Sequence, residues 1–221
     1  MARHIDQTLL RSAPDLNFEN NLWRAGVQHV AGIDEAGRGA LAGPVAAAAL
    51  ILPHDRSVLK TLHGVRDSKQ LTPSARTFYA HRLHQVGLAW GVGFASQQEI
   101  DALGILPATR LAAQRALDEM ALLPQHLLLD YLFLPDCPLP QTALIKGDAR
   151  SLSIAGASIL AKTARDALLC ELDRIYPGYG FASHKGYGTP GHLQALVDLG
   201  PCPIHRLTFA PIKEQRIRER G

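Results

Sequence analysis

Two adjacent carboxylates, Asp34 and Glu35, sit in the run Gly32-Ile33-Asp34-Glu35-Ala36-Gly37-Arg38-Gly39. An apolar stretch, Val30-Ala31-Gly32-Ile33, leads into them, and a Gly-x-Gly turn carrying Arg38 follows. Paired acids at a strand end suit a hard divalent cation, which prefers oxygen ligands. Glycines beside them let backbone N–H groups approach a polyanion closely. Asp130 ends the apolar run Leu127-Leu128-Leu129, and Asp148 follows Thr142-Ala143-Leu144-Ile145 by way of Lys146-Gly147. Four carboxylates converging on one sheet edge would hold two divalent cations, an arrangement suited to phosphodiester hydrolysis. Acids crowded in this way repel one another unless a cation lies between them. No histidine cluster at zinc spacing competes. Plainer readings exist for each piece alone. A single Asp at a strand end caps a turn, Gly37-Arg38-Gly39 makes a tight hairpin, and Arg38 and Lys146 are solvated charges. They leave unexplained the Asp34-Glu35 pair inside a glycine-rich turn.

The elements that must position these acids follow from periodicity. Residues 28–33 and 44–52 read as strands joined by the glycine-rich turn, and residues 88–95 as a third, which makes an antiparallel meander. Residues 107–122 read as a helix with Pro107 in its first turn. Residues 127–130 and 142–145 read as short buried strands. The strongest helical pattern spans residues 151–175, where Ala157, Leu160, Ala164, Leu168, Leu172 and Ile175 make one apolar face and Pro177 stops it. Residues 190–199 read as a further short helix. Strands followed by alternating strands and helices predict an α/β fold, a mixed sheet flanked by helices. We expect an N-terminal extension at residues 1–27 with one short helix, a catalytic domain at 28–212, and a charged tail at 213–221.

Bulk properties narrow the class. The 221 residues, 47% of them hydrophobic, suit one domain with ample core. No apolar stretch approaches the roughly 20 residues of a membrane span. The N-terminus lacks the apolar core of a signal peptide. Cys137, Cys170 and Cys202 lie far apart without a Cys-x-x-Cys, so we expect no disulfide framework and a cytoplasmic location. Residues 146–221 carry eleven Lys and Arg against seven Asp and Glu, which makes the last third the polyanion-facing side.

The segment 32–39, followed by Leu41-Ala42-Gly43-Pro44-Val45, resembles the signature of the type 2 ribonuclease H family, bacterial ribonuclease HII. Further blocks resemble that family in order. They are Asp67-Ser68-Lys69-Gln70-Leu71, Lys146-Gly147-Asp148, residues 153–162 with Arg165-Asp166, residues 176–181, residues 184–189, and His205-Arg206 with Phe209. The resemblance covers about residues 28–212. It implies an RNase H-like fold with a C-terminal helical region. It also implies an endonuclease that cuts the RNA strand of RNA–DNA hybrids, and single ribonucleotides embedded in duplex DNA. Asp34, Glu35, Asp130 and Asp148 fall where the family has its metal-binding acids, implying two Mg²⁺ or Mn²⁺ ions. Gly37, Arg38 and Gly39 match the loop that reads the ribose 2′-OH. Tyr187 matches the tyrosine that packs on the neighbouring deoxyribose. Lys69, Lys162, Lys185 and Arg206 are expected phosphate contacts, which position without specifying. Arg165-Asp166 reads equally well as a structural ion pair on the long helix.

The chain departs from the family pattern at Tyr131, where glycine is common, and at Ala40, where proline is common. Gly156 replaces a common alanine, and Thr208 a common serine. Glycine inside a helix costs about 1 kcal/mol unless close packing requires it. The expected protein is a monomer without a membrane partner. Its basic tail is a candidate contact for duplex phosphates or a replication clamp, and no clear motif selects between them. Competing classes are another two-metal nuclease such as a junction resolvase, against which the Gly37-Arg38-Gly39 loop argues, and a non-catalytic hybrid-binding module, against which the four acids argue.

Overall fold

The expected meander is present, and it runs through the acids rather than stopping before them. In this computed structural model, which describes residues 13–214, β1 (Val30–Ala36) carries Asp34 and Glu35 within the strand. It pairs antiparallel with β2 (Val45–Ile51), which pairs antiparallel with β3 (Ala89–Ala95). On its other side β1 pairs parallel with β4 (His126–Asp130), and β4 pairs parallel with β5 (Gln141–Leu144). The sheet order is β3-β2-β1-β4-β5. Parallel neighbours need a crossover. For β1 and β4 the chain returns through α4 (Gln97–Leu103) and α5 (Ile105–Asp118), between β3 and β4, whereas residues 131–140 join β4 to β5 without a helix.

The remaining helices are α1 (Asn17–Arg24), α2 (Ser57–Thr61), α3 (Pro73–Val86), α6 (Leu152–Ile175), α7 (Phe181–His184) and α8 (Pro190–Leu199). Both faces of the sheet are covered. Ala48, Leu50 and Leu52 point into a core shared with α6, α3 and α1, and Val45, Ala47, Ala49 and Ile51 into one shared with α5. That alternation is the strand period of two. The small residues of β2 let both helices come close. Gly32 marks a close crossing: a Cβ there would lie 2.2 Å from the Ser153 carbonyl carbon of α6. Gly156 has the packing reason that its helical position demands, since a Cβ would meet Leu50 Cδ2 at 2.4 Å.

The 151–175 helix is as expected, with Ser151 as N-cap accepting from the Ile154 amide at 3.3 Å. The 107–122 helix is shifted: it starts at Ile105, two residues before Pro107, and ends at Asp118. Helices α3 and α4 were not anticipated. Their start signals were present, namely Thr72-Pro73 at α3 and a Ser96/Glu99 capping box at α4. Two buried residues in α3 and one in α4 give little periodicity to read. Helix α1 is the short helix expected in the extension, but it is built into the main core through Leu16, Trp23 and the buried Glu19. Residues 1–12 and 215–221, parts of the expected extension and tail, lie outside the described residues. Among the described residues, no helix is long and apolar enough to cross a membrane.

Candidate active site

Parallel pairing of β4 on β1 sets Ile33 opposite Leu129, so Asp34 and Asp130 leave the sheet side by side. Strand β5 ends at Leu144, and a tight 3₁₀ turn, Gly147–Ala149, brings Asp148 in beside them. One carboxylate oxygen from each of Asp34, Asp130 and Asp148 lies within 4.8 Å of the others. Asp130 Oδ1 also accepts from the Gly147 amide at 2.7 Å, which locks the turn to β4. Glu35 stands outside that group of three. Its Oε1 accepts from Arg38 Nη1 at 3.1 Å, while its Oε2 is buried with no hydrogen-bond partner.

The electrostatics match the crowding. Burial, then the neighbouring Glu35 and Asp130 carboxylates, push Asp34 well above the usual carboxylate range. Burial raises Asp130 too, against the opposing effect of the Gly147 amide. Burial and the Asp130 charge push Asp148 up to about 6. Lys69 approaches from the Asp67-Ser68-Lys69 turn. Burial pulls its ammonium down, and Asp67, Asp34 and Asp148 more than offset that, raising it. Ser158 of α6 donates to Ser68 Oγ at 3.0 Å, and Arg76 donates to the Ser68 and Leu71 carbonyls, so the turn is fixed against the helix. Ser158 and Arg76 were not singled out from sequence. A hydroxyl on the buried face of α6 was the only signal for Ser158.

These donors fit a hard divalent cation. The set is all carboxylate oxygen, partly buried, mutually repulsive, and edged by the unpartnered Glu35 oxygen. Among the described residues, the three aspartates are the only His/Cys/Asp/Glu group with this geometry.

The other expected site residues divide. Arg38 and Gly39 are exposed on the turn after β1, and a Cβ at Gly39 would touch nothing within 4 Å. Gly37 is buried with φ +92, and a Cβ there would fall 2.0 Å from Arg165 Nε. Tyr187 is half-buried, with Lys162 Nζ and the Arg165 guanidinium each 5.6 Å from its ring centre. Lys162 is paired with Asp166 at 2.6 Å, so its charge is partly spent within the fold. Lys185 turns its ammonium to the Ala182 carbonyl.

One expectation is corrected and one open alternative is decided. Arg206 is not a phosphate contact: it is fully buried and donates to the carbonyls of Gly43, Arg38 and Gly37 at 3.0, 2.8 and 2.7 Å. Arg165 does not bridge to Asp166, which pairs with Lys162 and Arg76. Arg165 instead donates to the carbonyls of Pro44, Lys185 and Ala42. A buried Arg facing carbonyls cannot be told from a surface Arg by sequence alone, because its partners are backbone.

Among the described residues, three other than glycine hold a left-handed backbone: Tyr131 at φ 51, Lys146 at φ 54 and Lys185 at φ 53. Each lies within two residues of an expected site residue, Asp130, Asp148 or Tyr187. Such strain persists where surroundings over-determine it. At Tyr131 it accounts for the common glycine. Thr208 keeps the hydroxyl function of serine, donating to Asp101 Oδ1 at 2.6 Å.

A five-stranded mixed sheet clad by helices, with three aspartates crowded where β1, β4 and the turn after β5 meet, is the architecture of a metal-dependent nuclease with an RNase H-like fold. The family model described as Ribonuclease HII matches residues 31–212. Ribonuclease HII of Dehalococcoides mccartyi is 50% identical over 195 residues, covering 88% of this chain and 92% of that protein. Ribonuclease HII of Thermus thermophilus is 50% identical over 201 residues, covering 91% and 95%. The crystal structure of ribonuclease H2 from Pyrococcus horikoshii OT3 superposes with a TM-score of 0.71 at 26% identity, covering 87% of this chain and 99% of that one. Ribonuclease HII from Archaeoglobus fulgidus, solved in complex with PCNA, superposes with a TM-score of 0.66 at 27% identity, covering 82% and 95%. The chain belongs to the ribonuclease HII family. It is a metal-dependent ribonuclease H, acting on RNA–DNA hybrids.

Proposed function

We propose that this enzyme, besides cutting the RNA strand of hybrids, incises duplex DNA on the 5′ side of a single embedded ribonucleotide. The observation that carries this reading is the direct mechanical link between the Gly37-Arg38-Gly39 turn and the Tyr187 turn: the Leu41 amide donates to the Gly186 carbonyl at 2.8 Å. A reader of one ribose and a reader of the next sugar must stand at a fixed spacing to recognise a junction. The 2′-OH is what separates RNA from DNA. Exposed Gly39 leaves room for it beside the acids, and an aromatic ring at Tyr187 packs against a sugar that lacks it.

Asp34, Asp130 and Asp148 would hold the metal, with Glu35 at its edge through the oxygen that has no partner. Two divalent cations held there, Mg²⁺ or Mn²⁺, would supply charge to activate a water and to stabilise the leaving oxygen, which would give 5′-phosphate and 3′-hydroxyl ends. The carboxylates act as ligands, not nucleophiles. Arg38 restrains Glu35 by their 3.1 Å ion pair. Lys69 adds a positive charge on the rim of the acid cluster, where a scissile phosphate would be neutralised. Lys162 and Lys185 serve as weaker backbone contacts around Tyr187. In the cell the enzyme would remove ribonucleotides and RNA primers in the cytoplasm, as a monomer. The Archaeoglobus relative solved with PCNA supports a clamp as its partner.

A duplex carrying one ribonucleotide, incubated with the protein and Mg²⁺, should be cut 5′ of that ribonucleotide. An uncut duplex alongside a cleaved RNA–DNA hybrid would refute junction incision. Asp34→Asn should lose cleavage by at least about a thousandfold, reading as about 4 kcal/mol of lost barrier lowering, while circular dichroism and duplex binding are retained.

A further inference from the structure

Behind the two substrate-facing turns lies a buried polar assembly that the chemistry of cleavage does not itself use. Arg206 holds the carbonyls of Gly37, Arg38 and Gly43, and Arg165 holds those of Ala42, Pro44 and Lys185. The Leu41 amide and Gly186 carbonyl join the two turns, and a Cβ at Gly186 would lie 2.5 Å from the Ala42 carbonyl oxygen. A histidine chain closes the far side. The Cys202 amide donates to His205 Nδ1 at 2.9 Å, closer than the Cys202 carbonyl at 3.2 Å, which favours the His205 proton on Nε2. That proton points at His192 Nε2, 3.0 Å away, which must then accept. His192 therefore carries its proton on Nδ1, where the Tyr187 carbonyl lies at 3.0 Å. His184 completes the pattern, accepting from the Gly186 amide through Nδ1 at 3.2 Å and facing the Tyr179 carbonyl through Nε2 at 2.7 Å.

The consequence is that three consecutive residues, Lys185, Gly186 and Tyr187, are each gripped on the backbone, Lys185 by Arg165, Gly186 by the loop between β1 and β2, and Tyr187 by His192. Both His192 and His205 are buried, at 0% and 1% exposure, and burial lowers the basicity of each, His205 to about 4. The neutral, single-tautomer arrangement is thereby the stable one. Neither ring can take a second proton without setting two N–H groups against each other, His192 at Nε2 across the His192–His205 contact and His205 at Nδ1 against the Cys202 amide.

We infer that Arg165, Arg206, His192 and His205 are positioning residues that set junction specificity, by holding the Tyr187 turn at a fixed distance from the Gly37-Arg38-Gly39 turn. The inference rests on the reading of those two turns given above. Its function is discrimination between a lone ribonucleotide in DNA and a continuous hybrid, rather than the rate of phosphodiester cleavage as such.

Two substitutions at one position separate positioning from packing. In His192→Asn the side-chain amide can replace the Nδ1 donor towards the Tyr187 carbonyl. In His192→Gln the amide reaches instead to the place of Nε2, towards His205, and the grip on Tyr187 is lost. Both remove the ring, and Asn, the smaller, leaves the larger void, so packing alone would harm Asn more than Gln. The readout is the ratio of kcat/KM on a duplex with one ribonucleotide to kcat/KM on an RNA–DNA hybrid, with Tyr187→Ala measured beside them. Expected are a fall in the ratio of about tenfold for His192→Gln and for Tyr187→Ala, and a change within about twofold for His192→Asn. If the Gln and Asn variants match while Tyr187→Ala still falls, the positioning inference is overturned and the reading of Tyr187 survives. If Tyr187→Ala leaves the ratio unchanged, that reading fails and takes the inference with it.

Discussion

Gly37 and Gly39 are two residues apart and have opposite surroundings. Gly37 needs a left-handed backbone and has Arg165 Nε where a Cβ would stand, whereas Gly39 faces open space. Gly37→Ala should therefore destabilise the fold by about 1–3 kcal/mol. Gly39→Ala should leave the melting temperature unchanged and raise KM for ribonucleotide-containing substrates. Thermal melts together with kinetics on the two variants check both halves. Sequence spacing alone gave these glycines the same reason for being there. Asp34, Asp130 and Asp148 were legible because acids after apolar runs are rare enough to notice. Arg206 was misread because its carbonyl partners leave no mark in the sequence, and Arg165 stayed open because the adjacent Asp166, which the fold pairs with Lys162 and Arg76, offered a ready alternative partner.

At the scale of elements, α6 is the beam that holds β1 and the Asp148 turn together. Its contact with β1 at Gly32 is backbone against backbone, while that at Gly156 meets the tips of Leu50 and Leu83. Gly156→Ala gains about 1 kcal/mol of helix propensity but loses about 1–3 kcal/mol to overpacking. Gly32→Ala has no flexible side chain to displace and should cost more, which urea midpoints will rank. The start of α6 is tied to α1 by Glu19, whose Oε1 accepts from Ser151 Oγ, Ser153 Oγ and the Ser153 amide. Burial raises the Glu19 carboxyl above its usual value, the serine hydrogen bonds notwithstanding. The folded state then holds its proton at pH values where the unfolded chain has released it. Stability from this group is present below the unfolded pKa near 4.5 and is lost as pH rises through the folded value. Glu19→Gln should thus flatten the loss of stability above pH 4.5 relative to the parent, as denaturant titrations at pH 5 and pH 8 would measure. The long α6 and the strands of the meander were readable from periodicity. Helices α3 and α4 were not, since their few buried residues, Ala80 and Leu83 in one and Ile100 in the other, set no repeat.

For the whole molecule, the acid cluster is a liability that a cation converts into a stabiliser. Ligand binding to the native state alone stabilises by about 2.7 kcal/mol at a hundredfold excess over Kd. Mg²⁺ should raise the melting temperature of the parent protein and chelation reverse it, while Asp34→Asn should melt higher than the parent in chelator and respond little to Mg²⁺. A parent whose melting is indifferent to Mg²⁺ would contradict the metal site. The sheet order carries one more consequence. Strands β1, β2 and β3 pair with chain neighbours, but β4 reaches β1 only by crossing back over on the order of a hundred residues of chain, a slow kind of closure. Asp34 belongs to the part that local pairing assembles, and Asp130 and Asp148 to the part that arrives by the long return. A partly folded chain therefore has no cluster with which to capture a cation. The cluster is complete only where β4 and the turn after β5 are docked beside β1, so the candidate metal site and the finished sheet are one and the same structure.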